Sequence, residues 1–282
     1  MKKAIILSIL VVISSAQGQP LKASGSSNGQ SLPNQLLDAI VERSDIYDSV
    51  EYPYGEAGDS SFARTQADLD DGKLDLLWTA TSKDYEEQMQ AVYFPLYRGT
   101  LGMRLGIVRS NDQQALASVT TLQQLRQHRA CQGKLWADTA ILEANGIPVA
   151  KSLGYFNIFA MLDAERCRYF PRAIFEPWAE LERESKYPLS VDSHIMLRYK
   201  MPFFFFTKKG NQQVAQHIEE ILYQMFADGS FQAMFFNHPD VKNALELGQL
   251  KQRKIFDLTN PNLTERVQQI PSEVWFDPLA GE

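Results

Sequence analysis

Four consecutive phenylalanines, Phe203 to Phe206, followed by a helical pattern constrain this chain more than any other stretch. Such a run reads as a strand buried on both faces of a sheet. Just after it, Asn211 is a good helix N-cap, and Val214, Ile218, Ile221, Leu222 and Met225 recur at helical spacing. Gly229 stands where a left-handed residue closes a helix. The stretch from Lys208 to Phe236 therefore reads as one capped amphipathic helix following a buried strand, the closing element of an α/β lobe.

The N-terminus points to export. Lys2 and Lys3 precede an apolar run over 4–13, and Ala16-Gln17-Gly18 supplies small residues of the kind a signal peptidase reads. The run falls short of the ~20 apolar residues a bilayer span needs. Residues 1–18 are expected to be a cleaved signal peptide, and without a nearby cysteine to carry lipid, the mature chain is expected to be soluble in the periplasm. The formal charge of −6 becomes more negative once Lys2 and Lys3 are removed, which argues against nucleic acid or an anionic membrane as partner. Hydrophobic residues make up 44% of the chain, enough for a substantial core, and small solutes remain open as ligands.

Strand and helix signals alternate along the chain. A short strand at 20–23 precedes a Gly/Ser-rich tract at 24–31. A helix over 33–43 follows, then a strand at 49–54, a helix at 62–69 and a buried strand at 74–78, an alternation that implies a parallel sheet. Strands at 94–97 and 101–108 lead out of this first lobe. In the second, helices are expected at 122–127, 138–144, 155–164 and 174–184, with strands at 134–136, 147–151 and 168–170. Residues 199–206 carry the chain back. The expected division is 19–108 for the first part of lobe one, 109–200 for lobe two, and 201–282 for the return segment and C-terminal extension of lobe one.

Within this pattern, Asp70-Asp71-Gly72-Lys73-Leu74-Asp75 resembles the signature of family 3 periplasmic solute-binding proteins, the polar amino-acid receptors of ABC transporters. Gln132 to Thr139, Arg168-Tyr169-Phe170-Pro171-Arg172 and Glu273 to Pro278 are similar to an uncharacterised subgroup of such receptors. The resemblance covers nearly the whole mature chain. It implies an α/β fold of type II, with two lobes, each a mostly parallel sheet flanked by helices, joined by two crossovers. It also implies a monomer without cofactor that holds a small-molecule solute between its lobes and presents it to a membrane permease or sensor. A cell-envelope enzyme, or a descendant of the fold that no longer binds solute, is the alternative.

In an open α/β sheet, ligands bind beyond the carboxyl ends of the strands. That places Thr79, Thr81 and Ser82 at the cleft, with turn formation and helix capping as the competing reading of their hydroxyls. Trp78 either stacks on a ligand or completes the core. In lobe two, Trp136 offers a stacking face, and Asp138 and Thr139 open a helix whose amides suit an anion, with capping of that helix by Asp138 itself as the alternative. Arg172 is expected to grip a carboxylate or phosphate, or else to sit in an ion pair, and Arg104 is a second candidate with hinge ion pairing as its alternative.

The chain also departs from the amino-acid receptors. Three residues after Thr81, where they carry an arginine that clamps the ligand carboxylate, stands Asp84. Pro171 and Arg172 occupy the region of their amine-binding aspartate. An anionic or aromatic-stacking solute is therefore favoured over a simple zwitterionic amino acid.

His128, His194, His217 and His238 fit no metal-ligand spacing, and neither a nucleophile elbow nor a phosphate-cradling loop is present. Glu176, Glu180, Glu182 and Glu184 read as the wet face of a helix. Cys131 and Cys167 each precede a strand, and the resemblance puts those strands side by side, so a disulfide is expected in the oxidising periplasm, with two buried thiols as the alternative.

Overall fold

The computed structural model describes residues 18–59 and 61–280, so the expected signal peptide lies outside the described residues except at Gly18. Lobe one begins with β1 (Gln19–Lys22), α1 (Leu32–Arg43), β2 (Tyr47–Glu51), α2 (Phe62–Asp70), β3 (Leu77–Ala80), α3 (Lys83–Gln88) and β4 (Met89–Ala91). The first crossover enters β5 (Met103–Arg109). Lobe two contributes α4 (Leu122–Leu125), β6 (Ala130–Gly133), α5 (Ala137–Ala144), β7 (Val149–Ser152), α6 (Tyr155–Asp163), β8 (Phe170–Ala173), α7 (Pro177–Arg183) and β9 (Leu189–Val191). The chain returns through β10 (Ile195–Arg198) to β11 (Phe203–Lys208), α8 (Gln212–Ala227) and α9 (Ser230–Asn237). It closes with α10 (Pro239–Gly248), β12 (Lys254–Asp257) and α11 (Glu265–Gln268).

In lobe one, β1 runs parallel to β2 and meets the start of the next strand through a parallel bridge from Ala23 to Leu76. The phenylalanine strand β11 lies antiparallel between β3 and β4. Phe204, Phe205 and Phe206 are fully buried there, and α8 covers them with Ile218, Ile221, Leu222 and Met225. The helix expected over 208–236 is two helices. Gly229 adopts φ +83° and both ends α8 and starts α9, so the stretch turns a corner where a single helix would run on into solvent.

In lobe two, β6 pairs in parallel with β7 and bridges to β8 at Tyr169, while β8, β9 and β10 all lie antiparallel to β5. The strand expected at 134–136 is β6 instead, four residues earlier. Its polar Gln132 is buried and hydrogen-bonds the Pro171 carbonyl, whereas Leu135 in the expected strand is 84% exposed. The strand expected at 94–97 is loop, replaced by the short β4. Neither β9 nor β10 is foreshadowed in the sequence reading. The C-terminal extension does not stay with lobe one either: β12 adds in parallel to β10 at the edge of the lobe-two sheet, and Phe256 and Leu258 enter that lobe's core.

Cys131 and Cys167 form a disulfide with their Cα atoms 5.4 Å apart, pinning β6 to the segment entering β8. The bond closes a 36-residue separation, so its reduction is expected to lower stability by about 3 to 4 kcal/mol. Denaturant titrations with and without reductant, alongside non-reducing peptide mapping, check this; two freely alkylated thiols in the native protein would contradict it.

The Asp70 to Asp75 signature is structural. Gly72 turns the chain at φ +74°, Asp75 accepts the Lys22 N–H, and Lys73 reaches back to Asp68 and Asp71. Arg64 and Lys73, with Tyr54, donate to the Asp68 carboxylate and hold its pKa down at about 2. A carboxyl whose folded pKa lies below its unfolded value stabilises the fold above the unfolded pKa and loses that contribution as pH falls. Replacing Asp68 by Asn should therefore flatten the acid limb of stability between about pH 4 and about pH 2, measured by thermal melts across that range.

Candidate functional site

A cavity of about 760 Å³ opens between the lobes at the carboxyl ends of β3 and β6. Thr79, Thr81 and Ser82 wall it from lobe one, and Trp136, Asp138 and Thr139 from lobe two, so six of the expected residues come together. A second groove of about 800 Å³ runs along α8 past Gln216, Tyr223 and Arg266, but it involves lobe one alone. Only the first lies where two-lobe closure would enclose a solute.

The hydroxyls are mostly committed to the protein. Thr81 donates at 2.8 Å to Glu86, a buried carboxylate that also accepts from Tyr93 and Thr264. Ser82 caps α3 by accepting the Tyr85 N–H, the capping role that competed with ligand binding. Thr139 donates at 2.7 Å to the Gly133 carbonyl. Trp78 lies outside the cavity wall. It meets Phe205 edge-on and covers Gly25, where a Cβ would lie 2.6 Å from the indole, so it finishes the lobe-one core.

Asp138 does not cap α5. The cap position is Trp136, whose side chain accepts no hydrogen bond. The Asp138 carboxylate turns inward instead, pairing with Arg104 at 2.7 Å and accepting from the Tyr199 hydroxyl. Arg104 is buried and also donates to Tyr199 at 2.9 Å. Burial pushes its pKa down, but Asp138, Tyr199 and Glu176 outweigh that and hold the guanidinium charged. It is a hinge residue and does not line the cavity.

Arg172 is likewise spoken for. Its guanidinium donates to both Glu180 oxygens at 2.7–2.9 Å and to Glu176 at 2.6 Å. It lies 5.1 Å from the Trp136 ring centre and 5.0 Å from that of Phe170. The acidic run on α7 is therefore not wholly a wet face: Glu180 and Glu184 are buried, and only Glu182 projects freely into solvent. Its charge is cancelled by two carboxylates, its Nε and Nη2 donors are occupied, and it does not line the cavity, so withdrawing it to grip a solute anion would break a buried pair.

The charges that do face the cavity escaped the sequence reading as ligand residues. Lys83 and Asp84 on α3 and Lys134 before α5 all line it and are exposed, and the Lys83 ammonium donates to the Pro261 carbonyl. Lys151 and Glu143 line it too but pair with each other at 2.8 Å. Leu135, Tyr85 and Met201 add apolar surface, and Asn262 arrives from the C-terminal extension. In the sequence Asp84 stands where the receptors carry their arginine, and its position in the first turn of α3 is the signal that it faces the cleft. Among the described residues, no group of three or more His, Cys, Asp or Glu side chains is placed to hold a metal ion.

Truncating Arg172 to Ala would leave Glu180 buried without its partner, a loss of about 3–5 kcal/mol for a broken buried pair. Urea unfolding should show that drop, with partial recovery when Glu180 is changed to Gln in the same chain. A variant of unaltered stability would mean that Arg172 is free for the cleft after all.

No protein-family model matches the chain, and no curated protein matches it. Solved structures do. The probable amino-acid ABC transporter extracellular-binding protein ytmK from Bacillus subtilis is 14% identical over 80% of this chain and 100% of its own, with a TM-score of 0.55. An ancestral arginine-binding protein bound to arginine is 15% identical over 79% and 99%, TM-score 0.51. The BvgS VFT2 domain of Bordetella pertussis is 12% identical over 78% and 92%, TM-score 0.52. At these identities the likeness is one of architecture, and with the lobes, crossovers and cleft described above it identifies the fold as that of the two-lobed type II periplasmic binding proteins.

Proposed function

We propose that this protein is a periplasmic solute-binding protein that encloses an amino-acid-like solute and presents it to a membrane transporter or sensor. The observation that carries the reading is the cavity walled by both lobes, with the exposed charges of Lys83 and Asp84 from lobe one and of Lys134 from lobe two on its wall. Closure needs contacts that exist only when the lobes meet, and a solute touching both supplies them. The solved structures of the same fold include an amino-acid transporter's binding protein and an arginine-binding protein, and these support a solute of that class. No helix among the described residues is long and apolar enough to cross a membrane. The signal peptide expected over 1–18 from Lys2, Lys3 and the apolar run supports the periplasm as the compartment.

The preference for an anion rests on the arginine missing after Thr81 and on Arg172 in the region of the amine-binding aspartate, and Arg172 is neutralised internally by Glu176 and Glu180. In its place the cleft supports a solute of mixed charge. A cationic group would face Asp84 from lobe one, and a carboxylate would face Lys134 and the uncapped amides that open α5. Trp136, Leu135 and Met201 would contact the apolar part. The polarity is the reverse of the pattern the sequence resembles, where lobe one takes the carboxylate.

A thermal-shift screen of amino acids and related amines and carboxylates tests the reading, since a ligand bound only to the native state raises the melting temperature. Binding of the best hit should weaken about 10-fold or more in both Asp84→Ala and Lys134→Ala, as expected for charge-assisted hydrogen bonds of about 1.5–3 kcal/mol. A screen without a single shift would end the solute reading; unaltered affinity in both variants would end the proposed polarity.

A further inference from the structure

Between β12 and α11 the chain passes from one lobe to the other. Leu258 is buried in the lobe-two core, and its N–H donates to the Arg198 carbonyl at 2.8 Å. One residue on, Thr259 exchanges two hydrogen bonds with Asn145 at the end of α5: its N–H donates to Asn145 at 3.0 Å and its carbonyl accepts at 2.8 Å. Lobe one begins within a few residues. Lys83 donates to the Pro261 carbonyl, Leu263 packs on the lobe-one core, and Thr264 donates to Glu86 at 2.7 Å. Val267 and Ile270 are then buried in that core.

Only residues 259–262 separate the two anchors, and they are held in the middle as well. The Asn260 carboxamide donates to the Lys200 carbonyl in the second crossover and accepts the Asn262 N–H. From Leu258 to Leu263 the chain can reach at most ~18 Å, at about 3.6 Å per residue fully extended. A segment so short cannot follow a wide separation of the surfaces it joins.

We propose that residues 258–264 are a further connection between the lobes, beyond the two crossovers and the passage through α10 into β12, a strap that limits how far the cleft opens and keeps Asn262 in its wall. The two crossovers run side by side and form one narrow hinge. The strap adds an attachment beside them. The restraint is mechanical and stands independently of which solute, if any, the cleft holds.

The test uses the ligand-free protein. Spin labels are placed through Ala67→Cys on α2 and Ala160→Cys on α6, both exposed, with the native cysteines protected in their disulfide. Pulsed electron paramagnetic resonance then reads the interlobe distance. Inserting Gly-Ser-Gly-Ser between Asn260 and Pro261 leaves every anchor in place and adds up to ~14 Å of slack at about 3.6 Å per residue. The distance distribution should broaden toward longer values in this variant, and to a smaller extent in Asn145→Ala, which frees Thr259 while Leu258 stays anchored in lobe two. A cleavage site in the same position, cut after folding, should give the same broadening if the insertion impairs folding. Distributions that superimpose on the parent protein's in all three would overturn the strap. Loss of solute binding with these distributions broadened would leave it standing, and a failed solute screen does not touch it.

Discussion

The Arg104 guanidinium is the point on which the two-lobed arrangement turns. It leaves the first crossover strand and meets Tyr199 and Met201 in the second, Asp138 in the first turn of α5, and Glu176 before α7. Two residues earlier Gly102 allows the crossovers to touch: a Cβ there would lie 1.9 Å from the Tyr199 carbonyl oxygen, and the Tyr199 N–H donates to the Gly102 carbonyl. Buried ion pairs contribute little net stability because desolvation offsets their attraction, yet breaking one is costly. The network therefore acts by fixing positions. It ties the start of α5, which walls the cleft, to the hinge itself, so the lobe-two wall keeps its register whenever the lobes move.

A second carboxylate organises the other wall. Glu86 collects the hydroxyls of Thr81, Tyr93 and Thr264, joining a cleft loop, the exit from β4 and the C-terminal segment. Burial and the nearby Glu86 raise the Tyr93 pKa, so its hydroxyl stays a donor. Thr81 is oriented by this cluster and has its hydrogen spent there. On this side the exposed charges on the cavity wall are those of Lys83 and Asp84. Both walls follow one rule: groups that look like ligand contacts hold the frame, and groups at the rim keep free charge.

That division explains what the sequence could and could not reveal. Phe203 to Phe206 and the α8 pattern are local signals, and burial enforces them directly. The family resemblance places the strands next to Cys131 and Cys167 side by side, so the disulfide was legible through that resemblance. Arg172 was not. Its partners Glu176 and Glu180 lie four and eight residues on, and their spacing looks the same whether the helix face is wet or turned onto β8. The strand β6 was hidden by its buried Gln132, and β12 by the fact that Lys254–Asp257 makes sense only beside β10, more than fifty residues away. Local patterning cannot report a pairing whose energetic reason is elsewhere.

The hinge chemistry and the strap act in the same direction. An unrestrained pair of lobes spends much of the binding free energy of its solute on selecting the closed arrangement from many open ones, because apparent affinity falls with the fraction of competent molecules. Here Arg104 fixes one wall to the crossovers, Glu86 fixes the other to residue Thr264, and four residues span the gap between the anchored segments. Few open geometries satisfy all three. The cleft is thus restrained near one spacing, and on the proposed reading this lets exposed charges such as Asp84 and Lys134, individually weak in water, act on one solute.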